Sequence, residues 1–124
     1  MFKGAVPKNC IPYILSKSDL NVINYNPDTV AVYKYGSSQN KLFEYMASAK
    51  PILSNVEIGY SLIDRYNCGV CKNLPTGEKY AEAVLQMYRL SEEEHRQMCV
   101  NARKVAEEYD FKVLTDKLLS IIQK

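Results

Sequence analysis

The sequence contains no tryptophan, a single histidine and only five glycines among its 124 residues. It has no apolar run of the roughly 18–20 residues that a membrane-spanning helix needs. Its opening, Met1 to Lys8, carries no apolar core of leader length, so no secretory signal is expected. Excess charge is lacking too. Sixteen Lys and Arg against fourteen Asp and Glu leave a formal +2, which excludes a nucleic-acid coat or a polybasic membrane anchor. With five prolines and five glycines, neither a collagen-like repeat nor a low-complexity tail is present. No Asn-x-Ser/Thr sequon occurs. Nothing favours an oxidising compartment, so the cytoplasm is the expected location. What remains is an ordinary globular composition, 47% apolar and 24% charged. The length suits one domain spanning 1–124, and it is short for an enzyme that must hold two substrates.

The four cysteines stand at 10, 68, 71 and 99. Cys68-Gly69-Val70-Cys71 matches a C-x-x-C spacing, but its surroundings read as a turn entering a buried strand. Residues three apart on a strand point to opposite faces, so the two thiols are not placed to share a metal or to form an easy disulfide. No second C-x-x-C follows, and buried, reduced, structural cysteines are expected. His95, in the polar helix start Ser91-Glu92-Glu93-Glu94-His95, reads as a solvated surface residue.

Along the chain, Phe2 to Val6 is a short apolar run closed by Pro7 and predicts a strand. Asn9 to Lys17 carries Ile11, Ile14 and Leu15 at helical spacing. Leu20 to Tyr25 is a strand rich in β-branched residues, and Asn26-Pro27-Asp28 is turn chemistry opening a long loop to Ser38. Ser38 to Ala49 predicts a helix with Ser37 or Ser38 as its cap, and Pro51 to Asn55 a third strand. Gly59 to Tyr66 predicts a helix, Val70 to Leu74 a fourth strand, and Thr76-Gly77 the start of another helix. Ser91 with Glu94 is a capping box for a helix to about Tyr109, and Asp110 caps a last apolar helix. Strands alternating with helices predict an α/β fold of right-handed βαβ units on a parallel sheet.

One stretch carries chemistry. In the predicted helix, Leu42, Phe43, Met46, Ala47 and Ala49 form an apolar stripe, while Asn40 and Glu44 lie one turn apart on another face. The long loop delivers the helix start to the carboxyl edge of the sheet, where open α/β folds bind ligands. Free amides there favour a phosphate, and a carboxylate further along can accept hydrogen bonds from the vicinal diol of a ribose. The physics suggests a nucleotide. The bland reading, a solvated helix face, stands beside it.

Ser38-Gln39-Asn40-Lys41-Leu42-Phe43-Glu44-Tyr45-Met46-Ala47, followed by Lys50-Pro51-Ile52, resembles the donor-site signature of GT-B glycosyltransferases, particularly retaining family 4. Gly4-Ala5-Val6-Pro7 with Tyr13 to Asp19, Gly69-Val70 before a helix begun at Gly77, and Asn101-Ala102-Arg103 extend the resemblance over nearly the whole chain. The resemblance implies a partial Rossmann-like parallel sheet flanked by helices, the C-terminal portion of a GT-B fold. It implies that Glu44 holds the ribose of a UDP- or GDP-sugar donor and that the Ser38 to Leu42 amides, including those of Asn40 and Lys41, bind the diphosphate. Sugar contacts would come from Ser37, Ser38 or the loop backbone, and base contacts from Gly4, Ala5 and Val6. No metal and no other cofactor is implied, and no residue matches a catalytic nucleophile or base. The family often carries a further glutamate eight residues before the ribose-binding one, where this chain has Gly36. Ala49 stands where glycine is common.

The chain would then be the later part of a truncated nucleotide-sugar-binding domain, missing the N-terminal acceptor domain and inactive alone. The resemblance also leaves room for membrane association through the full-length enzyme. The strand at Leu20 to Tyr25 would expose an unpaired edge, expected to be covered by the Phe2 to Val6 strand or, through homo-oligomerisation or strand exchange, by another copy. The alternative from another class is a non-catalytic α/β nucleotide-binding or interaction module on the same scaffold.

Overall fold

A computed structural model describes residues 4–26 and 30–123. Phe2 and Lys3 of the expected first strand, and Pro27 and Asp28 of the expected turn, lie outside the described residues. Three short strands, β1 (Asn21–Ile23), β2 (Ile52–Ser54) and β3 (Gly69–Cys71), form a parallel sheet in the order β1-β2-β3. Val22 stands opposite Leu53, and Leu53 opposite Val70. A 3₁₀ turn at Lys8–Cys10 runs into α1 (Ile11–Ser16); α2 (Val30–Tyr33) and α3 (Asn40–Ala47) lie between β1 and β2, and α4 (Leu62–Arg65) lies between β2 and β3. Three longer helices follow: α5 (Gly77–Tyr88), α6 (Glu92–Glu108) and α7 (Phe111–Ile122). The fold is α/β, a partial Rossmann-like parallel sheet flanked by helices.

Burial explains the strand sequences. β2 is the central strand and all three of its residues are buried, as a parallel strand covered on both faces must be. β1 alternates buried, exposed, buried. Ile23 and Ile52 pack with Leu42 and Met46 of α3, Ile63 of α4, and Ala102 and Val105 of α6. Each fully buried aliphatic side chain contributes roughly 1.5–3 kcal/mol. Gly69 is required by close approach, because a Cβ there would lie 1.9 Å from the Ile52 carbonyl oxygen.

The caps of α5, α6 and α7 fall where the sequence puts them. Thr76 and Asp110 accept backbone N–H bonds at the starts of α5 and α7. At α6 the Ser91 hydroxyl accepts from the Glu94 N–H (3.2 Å), and the Glu94 carboxylate accepts from the Ser91 N–H (2.9 Å). Asn101-Ala102-Arg103 then locks α6 down. Ala102 is completely buried, the Asn101 amide donates to the Asn67 carbonyl (3.0 Å), and the Arg103 guanidinium donates to the Ala47 carbonyl (3.0 Å).

Several expectations are corrected. Gly4 to Val6 are exposed and lie outside any strand, with Gly4 at φ 75°, so they do not cover the β1 edge. Among the described residues β1 pairs only with β2. The region between β1 and α3 is not wholly loop. Tyr33 closes the single helical turn of α2, its carbonyl accepting N–H bonds from both Gly36 and Gly59 (3.0 Å each), and tertiary docking rather than propensity makes this turn helical. α3 begins at Asn40, with Gln39 rather than Ser37 or Ser38 in the cap position and no side-chain cap bond. Ala47 is exposed, and Ala49 lies beyond the helix at φ 54°. His95 is half-buried rather than solvated. Its Nε2 donates to the Asp19 carbonyl (3.0 Å), since that oxygen can only accept.

Candidate functional site

The site is built around Tyr25, two residues past the end of β1. The Tyr25 hydroxyl pairs with the Ser37 hydroxyl (3.2 Å), its ring lies 4.3 Å from that of Tyr33, and the Lys41 ammonium sits 6.0 Å from its centroid. The Asn55 side chain, just past β2, accepts from the Tyr25 N–H (2.7 Å) and donates to the Tyr25 carbonyl (3.0 Å). A side-chain amide thereby adds one rung beyond the β1–β2 ladder. Burial raises the Tyr25 phenol above its ordinary pKa, opposed by its bond to Ser37, so the ring stays neutral and keeps its proton for hydrogen bonding. These contacts bring Ser37 and the start of α3 to the carboxyl edge of the sheet.

Ser37, Ser38, Asn40 and Glu44 line one cleft of about 740 Å³, whose lining also includes the aromatic Phe43, Tyr109 and Phe111. Glu44 also lines a second groove, of about 440 Å³, shared with Lys8, Ile11 and Pro12. Its exposed carboxylate-bearing side chain therefore belongs to the ridge between two concave surfaces. Leu42 has a different place. Its side chain is 2% exposed in the core, and its N–H donates to the Gln39 carbonyl (2.9 Å). Of the predicted amides, those of Asn40 and Lys41 are the first two of α3, where helix geometry supplies no intrahelical acceptor. Gly4, Ala5 and Val6 line neither cleft, but the chain they begin reaches the second groove at Lys8.

The sequence reading missed three contributors: Tyr25 as organiser, Asn55 as its clamp, and the Lys8–Pro12 wall. No local pattern announces Asn55, whose role depends on a partner thirty residues away. Lys8 and Pro12 are legible only as the start of a helix.

Two of the four cysteines are buried as expected, whereas Cys10 is exposed and Cys99 only partly buried. Cys68 and Cys71 are buried free thiols; Cys68 donates to the Ile63 carbonyl (3.6 Å) and Cys71 to the Val56 carbonyl (3.1 Å). Burial pushes the Cys68 thiol up to about 11 and raises Cys71 as well. No described group of three or more His, Cys, Asp and Glu side chains converges on a common point. Among the described residues no helix is long and apolar enough to cross a membrane.

No family model matches the chain, and neither the curated proteins nor the solved structures include a significant match.

Proposed function

We propose that this chain is the nucleotide-sugar-binding part of a GT-B glycosyltransferase that transfers a hexose-type sugar to a glycan or glycoconjugate acceptor. The observation that carries the reading is the placement of Glu44 one helical turn beyond the start of α3, in one cleft with Ser37, Ser38 and Asn40 at the carboxyl edge of the sheet. The diphosphate of a UDP- or GDP-sugar would meet the Asn40 and Lys41 amides, with the Lys41 charge beside it. The ribose diol would donate to Glu44, and the base would enter the groove walled by Lys8, Ile11 and Pro12. The acceptor would be held by a separate domain closing over the cleft, so the chain alone binds donor without turning it over. We place a second copy on the open edge of β1.

Calorimetry with UDP, GDP and their sugars tests the donor reading. Glu44→Gln is expected to weaken binding about 10- to 100-fold, the cost of a lost charge-assisted hydrogen bond. Binding that Glu44→Gln leaves unchanged, or no nucleotide binding at all, rejects it. One observation favours the alternative, a non-catalytic α/β module. Gly36 takes φ 114° where the resembled family often carries a glutamate, and no side-chain-bearing residue adopts that backbone without strain. Nucleotide binding without any requirement for a sugar moiety is the outcome that supports it.

A further inference from the structure

Among the described residues, α7 is the one long helix with no buried residue. Phe111 is 86% exposed and Ile122 68%, and neither belongs to the hydrophobic core. At about 100° per residue, Ile121, Leu114, Leu118, Phe111, Ile122 and Leu119 follow one another around a continuous arc of roughly 160°, interrupted only by Thr115. The charges are ordered about this arc. Lys112 borders it beside Leu119 and Lys117 borders it beside Ile121, while Asp116 and Ser120 lie between the two lysines on the opposite side, with Val113 the only apolar residue there.

We propose that α7 lies in the plane of a lipid surface, its apolar arc sunk to the level of the acyl chains. The charge order selects this occupant. Lysines at both borders of the apolar arc run their methylene stems along it and can place their ammonium groups at the lipid phosphates. The helix's one acid, Asp116, stands on the polar side, about 140° round the helix from the centre of the arc. Apolar burial drives the association, and the two lysines add a preference for anionic lipid. Phe111 and Leu114 also wall the larger cleft, so one of its walls would border the lipid surface. The proposal stands whether or not the cleft binds a nucleotide.

Cosedimentation of the chain with phosphatidylcholine vesicles, and with vesicles that also contain phosphatidylglycerol, tests it. Saturable binding to both is expected, tighter on the anionic ones. The double variant Leu118→Asp/Ile122→Asp is expected to weaken binding at least about tenfold on either vesicle, with an unchanged far-ultraviolet spectrum because α7 buries nothing. Lys112→Gln/Lys117→Gln is expected to remove only the anionic preference, about tenfold or more at low salt. Failure to cosediment overturns the proposal, as does binding indifferent to the aspartates. A dimer in light scattering that the aspartates split assigns the face to a second copy instead.

Discussion

Ala49 sits just past the end of α3 with φ 54°, and its N–H closes the helix by donating to the Met46 carbonyl (3.0 Å). A side chain in the left-handed region costs roughly 1 kcal/mol that glycine does not. Ala49→Gly is therefore expected to stabilise the protein by up to about 1 kcal/mol, read as a higher denaturation midpoint with an unchanged slope. Buried thiols give a second residue-scale expectation. The folded chain holds the Cys68 proton to about 11 against an ordinary 9.0, so the unfolded chain releases it first. Stability then falls as pH rises between those values, by on the order of 1–2 kcal/mol for this group, and Cys71 shifts in the same direction. Denaturation curves across that window check it: Cys68→Ala is expected to show a shallower pH dependence. Both residues could be singled out from the sequence, Ala49 as a departure from a glycine and the cysteine pair as structural. The sign of φ at Ala49 could not be read there, because it is set by where α3 stops.

At the scale of elements, α6 is held at three points by side chains that reach backbone carbonyls of three separate segments: His95 to Asp19, Asn101 to Asn67 and Arg103 to Ala47. Asn67 itself has φ 49°, a conformation asparagine tolerates, and its carbonyl sits in the turn that feeds β3. Asn101→Ala is expected to cost about 1 kcal/mol in equilibrium unfolding, the net worth of one such bond. An outcome near zero would mean that Ala102 and Val105 fix the helix alone. Helices α5, α6 and α7 were legible within a residue or two because each has a capping side chain and a long apolar period. The shorter elements were not. β1, β2 and β3 are three residues each; β1 and β2 are trimmed from predicted runs of six and five by the reach of the ladder, β3 begins at Gly69, one residue before its predicted run, and α2 exists only because the Tyr33 carbonyl is held by Gly36 and Gly59. Gly4 to Val6, read as a strand from apolar content, forms none because no partner strand lies beside it among the described residues.

For the molecule as a whole, the β1 edge is where association through a second copy is expected. Val22, the outward-facing middle residue of β1, is 37% exposed. Val22→Lys is expected to shift a concentration-dependent oligomer to monomer in sedimentation velocity, and a wild type that stays monomeric at all concentrations removes the second copy from the proposal. The candidate site was legible in part: Ser37, Ser38, Asn40 and Glu44 came together as the motif suggested, because helix periodicity carries Glu44 round to the side of Asn40. The Leu42 side chain entered the core, as its place in the apolar stripe foretold, while Gly4 to Val6 lie at the surface, an outcome decided by contacts distant in sequence.

The Asn55 rung has one more consequence. Tyr25 is tied to the sheet by a side chain, not by a neighbouring strand. A rotation about the Asn55 side-chain bonds can release both of its hydrogen bonds while every backbone bond between β1 and β2 stays formed. Release of Tyr25, and of Ser37 bonded to its hydroxyl, is then a separate event from loss of the sheet. The Ser37 side of the larger cleft can then shift while its helical walls, Phe43 and Tyr109 among them, stay in place.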